Sequence, residues 1–222
     1  MKNKTNNLES IKTNINSLQI MDKENEEQIY TNLINYWFSR ENVFKKFLRE
    51  LNFTDFAYDY ELKKEKRIFH GRIDILALNT DINKAIIIEN KILSGLNGID
   101  KEEEKTQLDK YVEDIEKDYE ISENNILGLV FVPDYNLEII KNEIDVLVRK
   151  NNSKFFKIIP YSRLITFFEQ VREYVKGDLY YGYFDDFIKI LKSQTYTSII
   201  EKNRMEMENK FLLAIKNAKS SV

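Results

Sequence analysis

Apolar positions recur with two periods along this chain, and the periods divide it into helical and extended stretches. Residues 1–22 are largely polar, with apolar positions Leu8, Ile11, Ile15 and Leu18 at a spacing that predicts one amphipathic helix. From Glu24 a stronger helical stripe runs through Ile29, Tyr30, Leu33, Ile34, Trp37 and Phe38. Ser39 is the expected cap of a second helix carrying Val43, Phe44, Phe47, Leu48 and Leu51. The period then changes to two: Phe56, Tyr58, Tyr60 and Leu62 alternate with Ala57, Asp59 and Glu61, which predicts a strand. Two compact apolar runs follow, over 72–79 and 84–92, with apolar residues on both faces, as expected of strands covered on both sides. A charged stretch from Asp100 to Tyr119 reads as a helix with Leu108, Tyr111, Val112 and Ile115 on one face. Asn125–Val132 reads as a buried strand stopped by Pro133, Leu137–Val148 as a helix, and Phe155–Ile159 as a strand ended by Pro160. Helices are expected over 162–175, 183–192 and 196–218.

This order (helix, three strands, helix, strand, helix, strand, helices) predicts an α/β fold with a central mixed sheet flanked by helices on both faces. No repeat and no Gly-, Pro- or Ser-rich linker interrupts the chain. The expected organisation is a helical or flexible segment over 1–23 and one domain over 24–222. Composition narrows the chemistry. With no cysteine there is neither a disulfide frame nor a thiolate metal site, and the single histidine, His70, excludes a His-rich zinc site. No apolar run approaches the ~18 residues that span a bilayer, and the polar start lacks a signal-peptide core, so no membrane partner and a cytoplasmic location are expected. A net charge of −3 argues against a non-specific nucleic-acid coat protein, yet leaves room for an enzyme with a local positive groove. No Walker A loop is present, so no NTPase activity is expected.

Charge inside the two apolar runs changes the picture most. Asp74 interrupts Ile73–Leu78, and Glu89-Asn90-Lys91 ends the run begun at Ala85. A carboxylate withdrawn from water costs several kcal/mol, roughly, unless cations or hydrogen bonds compensate it. The Asn/Asp-rich link at 79–84 predicts a hairpin. If Asn79 faces Lys84, pairing continues through Ala77–Ile86 and Ile75–Ile88 to Asp74–Glu89, with Arg72 opposite Lys91. Side chains alternate, so Arg72, Asp74, Glu89 and Lys91 would then share a face. Two facing carboxylates repel; a divalent cation removes the conflict, and hard oxygen ligands favour Mg2+ or Mn2+. Lys91 is placed to orient water or neutralise a phosphate, and the Asn90 carbonyl is a further candidate ligand. These are the parts that phosphodiester hydrolysis uses. The alternative is a surface ion-pair cluster contributing about 0–1 kcal/mol per pair.

Gly71-Arg72-Ile73-Asp74 on the second strand and Glu89-Asn90-Lys91 on the third, within the order helix, three strands, helix, strand, resemble the PD-(D/E)XK nuclease superfamily and in particular a poorly characterised bacterial branch. The resemblance covers about residues 24–135; Ile73 stands where the family often has proline. It implies a restriction-endonuclease-like fold, core αβββαβ with extra C-terminal helices. It also implies a Mg2+- or Mn2+-dependent nuclease acting on nucleic acid, DNA above all, in defence or repair. Asp74 and Glu89 would bind metal and Lys91 would be the catalytic lysine. Many members add a glutamate from the first helix, for which Glu27 is the candidate, with Glu26 and Glu41 as rivals. Some carry Gln-x3-Tyr on the helix after the third strand, matched by Gln107 and Tyr111, which share a helix face. Many nucleases of this fold act as dimers to cut two strands, so a homodimer is a candidate state. A catalytically inactive relative, acting as a nucleic-acid-binding or protein-interaction module, is the alternative function.

Lys63, Lys64, Lys66 and Arg67, with Lys45, Lys46 and Arg49, are either a phosphate-tracking surface or solvated charge between Glu61 and Glu65. His70 is expected at the surface. The run Leu179-Tyr180-Tyr181-Gly182-Tyr183-Phe184 fits aromatic packing better than base stacking.

Overall fold

Five strands hydrogen-bond in chain order: β1 (Glu61–Ile68), β2 (Gly71–Asn79), β3 (Lys84–Asn90), β4 (Ile126–Val132) and β5 (Phe156–Pro160). The computed structural model describes residues 16–21, 23, 26–92, 106–138, 140–142, 156–195 and 207. β1, β2 and β3 are joined as antiparallel hairpins, whereas β4 and β5 add in parallel. The sheet is therefore mixed, as the alternation of strands and helices predicts. The observed β2–β3 register is the expected one from Asn79↔Lys84 to Ile75↔Ile88.

Helices cover both faces. On one side lie α2 (Glu27–Phe38), α3 (Val43–Glu50), α5 (Tyr161–Gln170) and α7 (Phe184–Lys192). Tyr30, Ile34, Trp37 and Phe38 of the α2 stripe pack there with Phe47, Phe131, Phe167, Phe168 and Phe187, against Ile75, Ala77, Ile86 and Ile88 of the sheet. The other side is covered by α4 (Gln107–Tyr119), whose Leu108, Tyr111, Val112 and Ile115 bury Leu76, Ala85, Ile87 and Val130. β3 and β4 are buried on both faces for this reason. Two short helices, α1 (Ser17–Ile20) and α6 (Arg172–Val175), are also described, and residues 137–138 and 140–142 are helical as expected. The expected amphipathic helix over 1–22 and the last helix over 196–218 lie largely outside the described residues, as does the second half of 137–148. Among the described residues no helix is long and apolar enough to cross a membrane.

Three local expectations are corrected. The alternating stretch from Phe56 to Tyr60 is not a strand: residues 54–56 make a 3-10 turn, and Phe56 and Tyr60 pack on the first core from irregular backbone. The strand is instead the charged run Glu61–Ile68. It pairs on one side only, and an edge strand keeps lysines in solvent that a central strand could not. Ser39 ends α2 rather than starting α3. The α3 N-cap is Asn42 in left-handed backbone, φ 58°, with no side-chain cap bond. The helix expected over 162–175 breaks at Val171. By contrast α4 starts on a reciprocal capping box, Thr106 with Asp109, which fixes the start of the helix facing the β2–β3 end.

Gly128 of β4 sits directly beneath the ring of Phe156 on β5, where an added Cβ would overlap the ring. Gly128→Ala is expected to lower unfolding free energy by about 1–3 kcal/mol through overpacking, measured by urea denaturation. Unchanged stability would show that the Phe156 ring moves aside freely.

Candidate active site

The site grows from a place where two strands change face together. Along β2, Ile75 and Ala77 face the α2 side while Leu76 and Leu78 face α4; Ile73 breaks the alternation and faces α4 too. Across the edge, Leu62 of β1 packs on the α2 side and Ile68 on the α4 side, although both are even-numbered. The break lies at Glu65 and Asp74. Their pair is missing between Lys64↔Ile75 and Lys66↔Ile73, and Glu65 has φ 53°, a left-handed conformation that β-strands avoid. Asp74 is thereby freed from plain strand alternation, and its Oδ2 accepts the Asn90 N–H at 2.8 Å.

Glu89 follows Ile88 at the end of β3, where its side chain is 2% exposed. Its Oε2 lies 3.3 Å from Lys91 Nζ. Its Oε1 is buried with no hydrogen-bond partner among the described residues. Burial, then the Asp74 carboxylate, pushes the Glu89 carboxyl up to about 8, against lowering influences from Lys91 and the Asp74 backbone N–H. Asp74 is raised as well, by burial first, with Glu65 and Glu27 adding repulsion and the Asn90 N–H and Lys91 opposing it. Both shifts state that negative charge here lacks compensation. Lys91, 8% exposed, is held by its N–H to the Phe131 carbonyl at 2.9 Å. A solvated surface cluster would not look like this. Arg72, by contrast, leaves the group: its Nε lies 2.7 Å from Glu65 Oε2, an ion pair without hydrogen-bond geometry, on a half-exposed side chain.

Asn90 points to the opposite side of the sheet. Its Nδ2 donates to the Glu27 carbonyl (3.3 Å) and its Oδ1 accepts from the buried Tyr161 hydroxyl (2.6 Å). Glu27, in the first turn of α2, turns its Oε1 to the Ile92 N–H at 2.8 Å. It reaches the end of β3 without joining Asp74 and Glu89 in one ligand group. Its rivals lie elsewhere: Glu26 is exposed and pairs with Lys23, and Glu41 is at the far end of α2. Gln107 and Tyr111 are brought together: Gln107 Nε2 donates to the Tyr111 hydroxyl, which donates to the Arg72 carbonyl at 2.8 Å. Tyr111 is fully buried against Gly71, so it packs and hydrogen-bonds at once; burial and then the Glu89 charge push its hydroxyl well above the usual range.

Among the described residues, no group of three or more His, Cys, Asp or Glu side chains is gathered closely enough to hold a metal ion. The protein donors on offer are therefore two carboxylates and main-chain carbonyls. That set suits a hard cation that keeps much of its water, and the orphaned Glu89 Oε1 is an oxygen that such a cation would satisfy. Nothing in the sequence marks two residues that the structure brings to the site: Glu65, whose charge acts on Asp74, and Tyr161, which holds Asn90.

A family model for the PD-(D/E)XK nuclease superfamily matches residues 6–180. The chain belongs to this superfamily, and its mixed sheet with flanking helices is the restriction-endonuclease-like fold. The crystal structure of a repair endonuclease from Pyrococcus abyssi is similar at 17% identity with a TM-score of 0.32, over 52% of this chain and 46% of that one, so the chain spans about half the length of that protein. No curated protein matches.

Glu89 gives a pH signature. Its folded value lies above the ordinary 4.5, so the folded state binds the proton more tightly than the unfolded chain. The associated stability is fully present below about 4.5 and is lost as pH rises through about 8. Metal-free protein should melt at falling temperature from pH 5 to 8, and Glu89→Gln should flatten that slope; parallel slopes for the two would refute the assignment. Tyr161→Phe removes the donor to a buried Asn90 oxygen and should cost about 1–3 kcal/mol in denaturant unfolding.

Proposed function

We propose that the protein is a divalent-metal-dependent nuclease that hydrolyses phosphodiester bonds in DNA, with residues 24–222 as its nuclease domain. The observation that carries this reading is the buried Glu89 carboxylate, one oxygen unpartnered, beside Asp74 and within 3.3 Å of Lys91. Family membership supports hydrolysis of nucleic acid as the reaction class.

Asp74 and Glu89 would hold Mg2+ or Mn2+, with the Asn90 carbonyl as a third candidate donor. Bound there, the cation supplies charge that favours attack of water on the scissile phosphate. Lys91 brings its own positive charge to the same face. Held between a buried carboxylate and the β4 ladder, it needs little reorganisation to stabilise charge growing on a phosphate oxygen. Tyr111 and Gln107 hold the Arg72 carbonyl and so the approach of β2 to the site. Asn90 has a holding role through its side chain. Anchored to Tyr161 and to the Glu27 carbonyl, it keeps the residues on either side of it, Glu89 and Lys91, turned to the α4 face.

The test is cleavage of plasmid, linear and single-stranded DNA in Mg2+, Mn2+ and EDTA. Wild type should cut only with metal. Asp74→Ala should abolish both cleavage and calorimetric metal binding. Lys91→Ala should bind metal and lose about 10²–10³-fold in rate, the scale of removing one charge-stabilising group. No metal-dependent cleavage by wild type, or equal cleavage by the two variants, would sink the proposal. Metal binding without cleavage of any substrate would favour an inactive nuclease-fold binding module.

A further inference from the structure

The turn joining β1 to β2 is built unlike a solvent-facing loop. Phe69 stands at its tip with 85% of its surface exposed. The next residue, His70, is clamped by the buried Asp114 of α4: one carboxylate oxygen accepts the His70 N–H and the other lies against Nδ1, both at 2.8 Å. The Phe69 ring meets the edge of this fixed imidazole at 89°, centroids 4.8 Å apart. A carboxylate withdrawn from solvent thus braces a large apolar side chain that is left in it. A hairpin gains nothing in stability from an exposed phenylalanine, so the rigid presentation points to a ligand.

Position and charge indicate which ligand. The register that pairs Ile75 with Ile88 carries β2 past Asp74 toward Gly71 as β3 ends at Asn90, so the tip overhangs the Asp74–Glu89 end of the sheet. Phe69 lies five positions before Asp74, roughly 16 Å along the strand, a span of a few nucleotides. One cation stands beside the ring: Lys117 Nζ is 5.9 Å from its centroid. Lys66, whose Nζ lies 5.9 Å from the Tyr119 ring of the same helix as Lys117, and Arg67 precede the tip on β1, and none of these three makes an ion pair among the described residues. The larger exposed group at Tyr174, Leu179, Tyr180 and Tyr183 lies elsewhere. It adjoins Tyr36 near the C-terminal end of α2, whereas Glu27 at the N-terminal end reaches the site.

We propose that Phe69 is a base-stacking contact: its ring packs on an unpaired base of the nucleic acid whose phosphate reaches Asp74 and Glu89, while Lys66, Arg67 and Lys117 face the adjoining phosphates. The inference rests on the nuclease reading and adds a preference for substrates with unpaired bases near the cut. A flat aromatic serves because every base offers a face to stack on, and cations beside it meet the polyanionic backbone.

Phe69→Trp supplies the probe, since the native Trp37 is 2% exposed and cannot report on the tip. The variant is titrated with a short single strand and with the same sequence in a blunt, fully paired duplex, in EDTA and in Ca2+. Quenching is expected with the single strand and not with the duplex. Phe69→Ala should weaken single-strand binding about tenfold, on the scale of one lost stack, and change duplex binding less than twofold. Wild type that binds or cuts DNA while Phe69→Ala matches it on single strands within twofold, with no quenching in Phe69→Trp, overturns the stacking contact and leaves the nuclease reading intact. Wild type that binds neither strand form and cuts nothing overturns both. A change in sedimentation of the protein alone on Phe69→Ala would make the tip a self-contact and overturn the proposal.

Discussion

Beyond Ile75↔Ile88 the strands β2 and β3 stop exchanging backbone bonds, and the Asp74 carboxylate takes the Asn90 N–H instead. A side chain thus does what a backbone carbonyl does in the rest of the ladder. The substitution closes a gap that would leave a buried N–H unpaired. It also fixes Asp74 beside Glu89 with both carboxylates largely withdrawn from water. The raised values of the two groups follow directly: burial penalises each charge, and each worsens the other's position. Lys91 alone does not offset this, because it meets only one Glu89 oxygen. The pair is left electrostatically incomplete, which is the condition that the proposed cation would satisfy.

The surroundings hold that condition in place from both faces. On the α4 side Tyr111 fills the space over Gly71 and ties down the Arg72 carbonyl, so β2 cannot drift away from the acids. On the α2 side the Asn90 amide is shared between Tyr161 and the Glu27 carbonyl. Tyr161 stacks on Tyr30, Tyr30 accepts from Gln194, and Gln194 accepts from Tyr135, which also donates to Ile92. This polar chain behind the site links α2, the end of β3, α5 and the residues after α7. Its members are buried, or half-buried at Tyr135, and hydrogen-bonded, so it specifies one arrangement rather than several.

Much of this was legible in the chain. The two apolar runs identify β2 and β3, the polar link between them sets their register, and the interruption of each run by a carboxylate marks the site. A hairpin pairs its strands outward from the turn, so placing Asn79 opposite Lys84 fixes the register through Ile75 and Ile88. The α2 and α4 stripes were readable from their period of 3.6. β1 was not, because an edge strand is paired on one side and tolerates lysines that hide its pattern. The alternation at Phe56–Tyr60 suggested a strand, but rings packing from a 3-10 turn produce the same spacing.

Local pattern by itself determined the hairpin that carries Asp74 and Glu89 and the shared helix face of Gln107 and Tyr111, because each depends on residues close in sequence with a fixed repeat; the mixed sheet followed from the order of strands and helices. Tertiary structure alone decided the rest. It decided that Arg72 pairs away with Glu65, that Glu27 turns to Ile92, that Asn90 is held by Tyr161, and that Asp114 braces the tip bearing Phe69. These are contacts between elements whose relative placement is set by core packing and by the face change at Glu65 and Asp74, and no spacing along the chain encodes a distance across it.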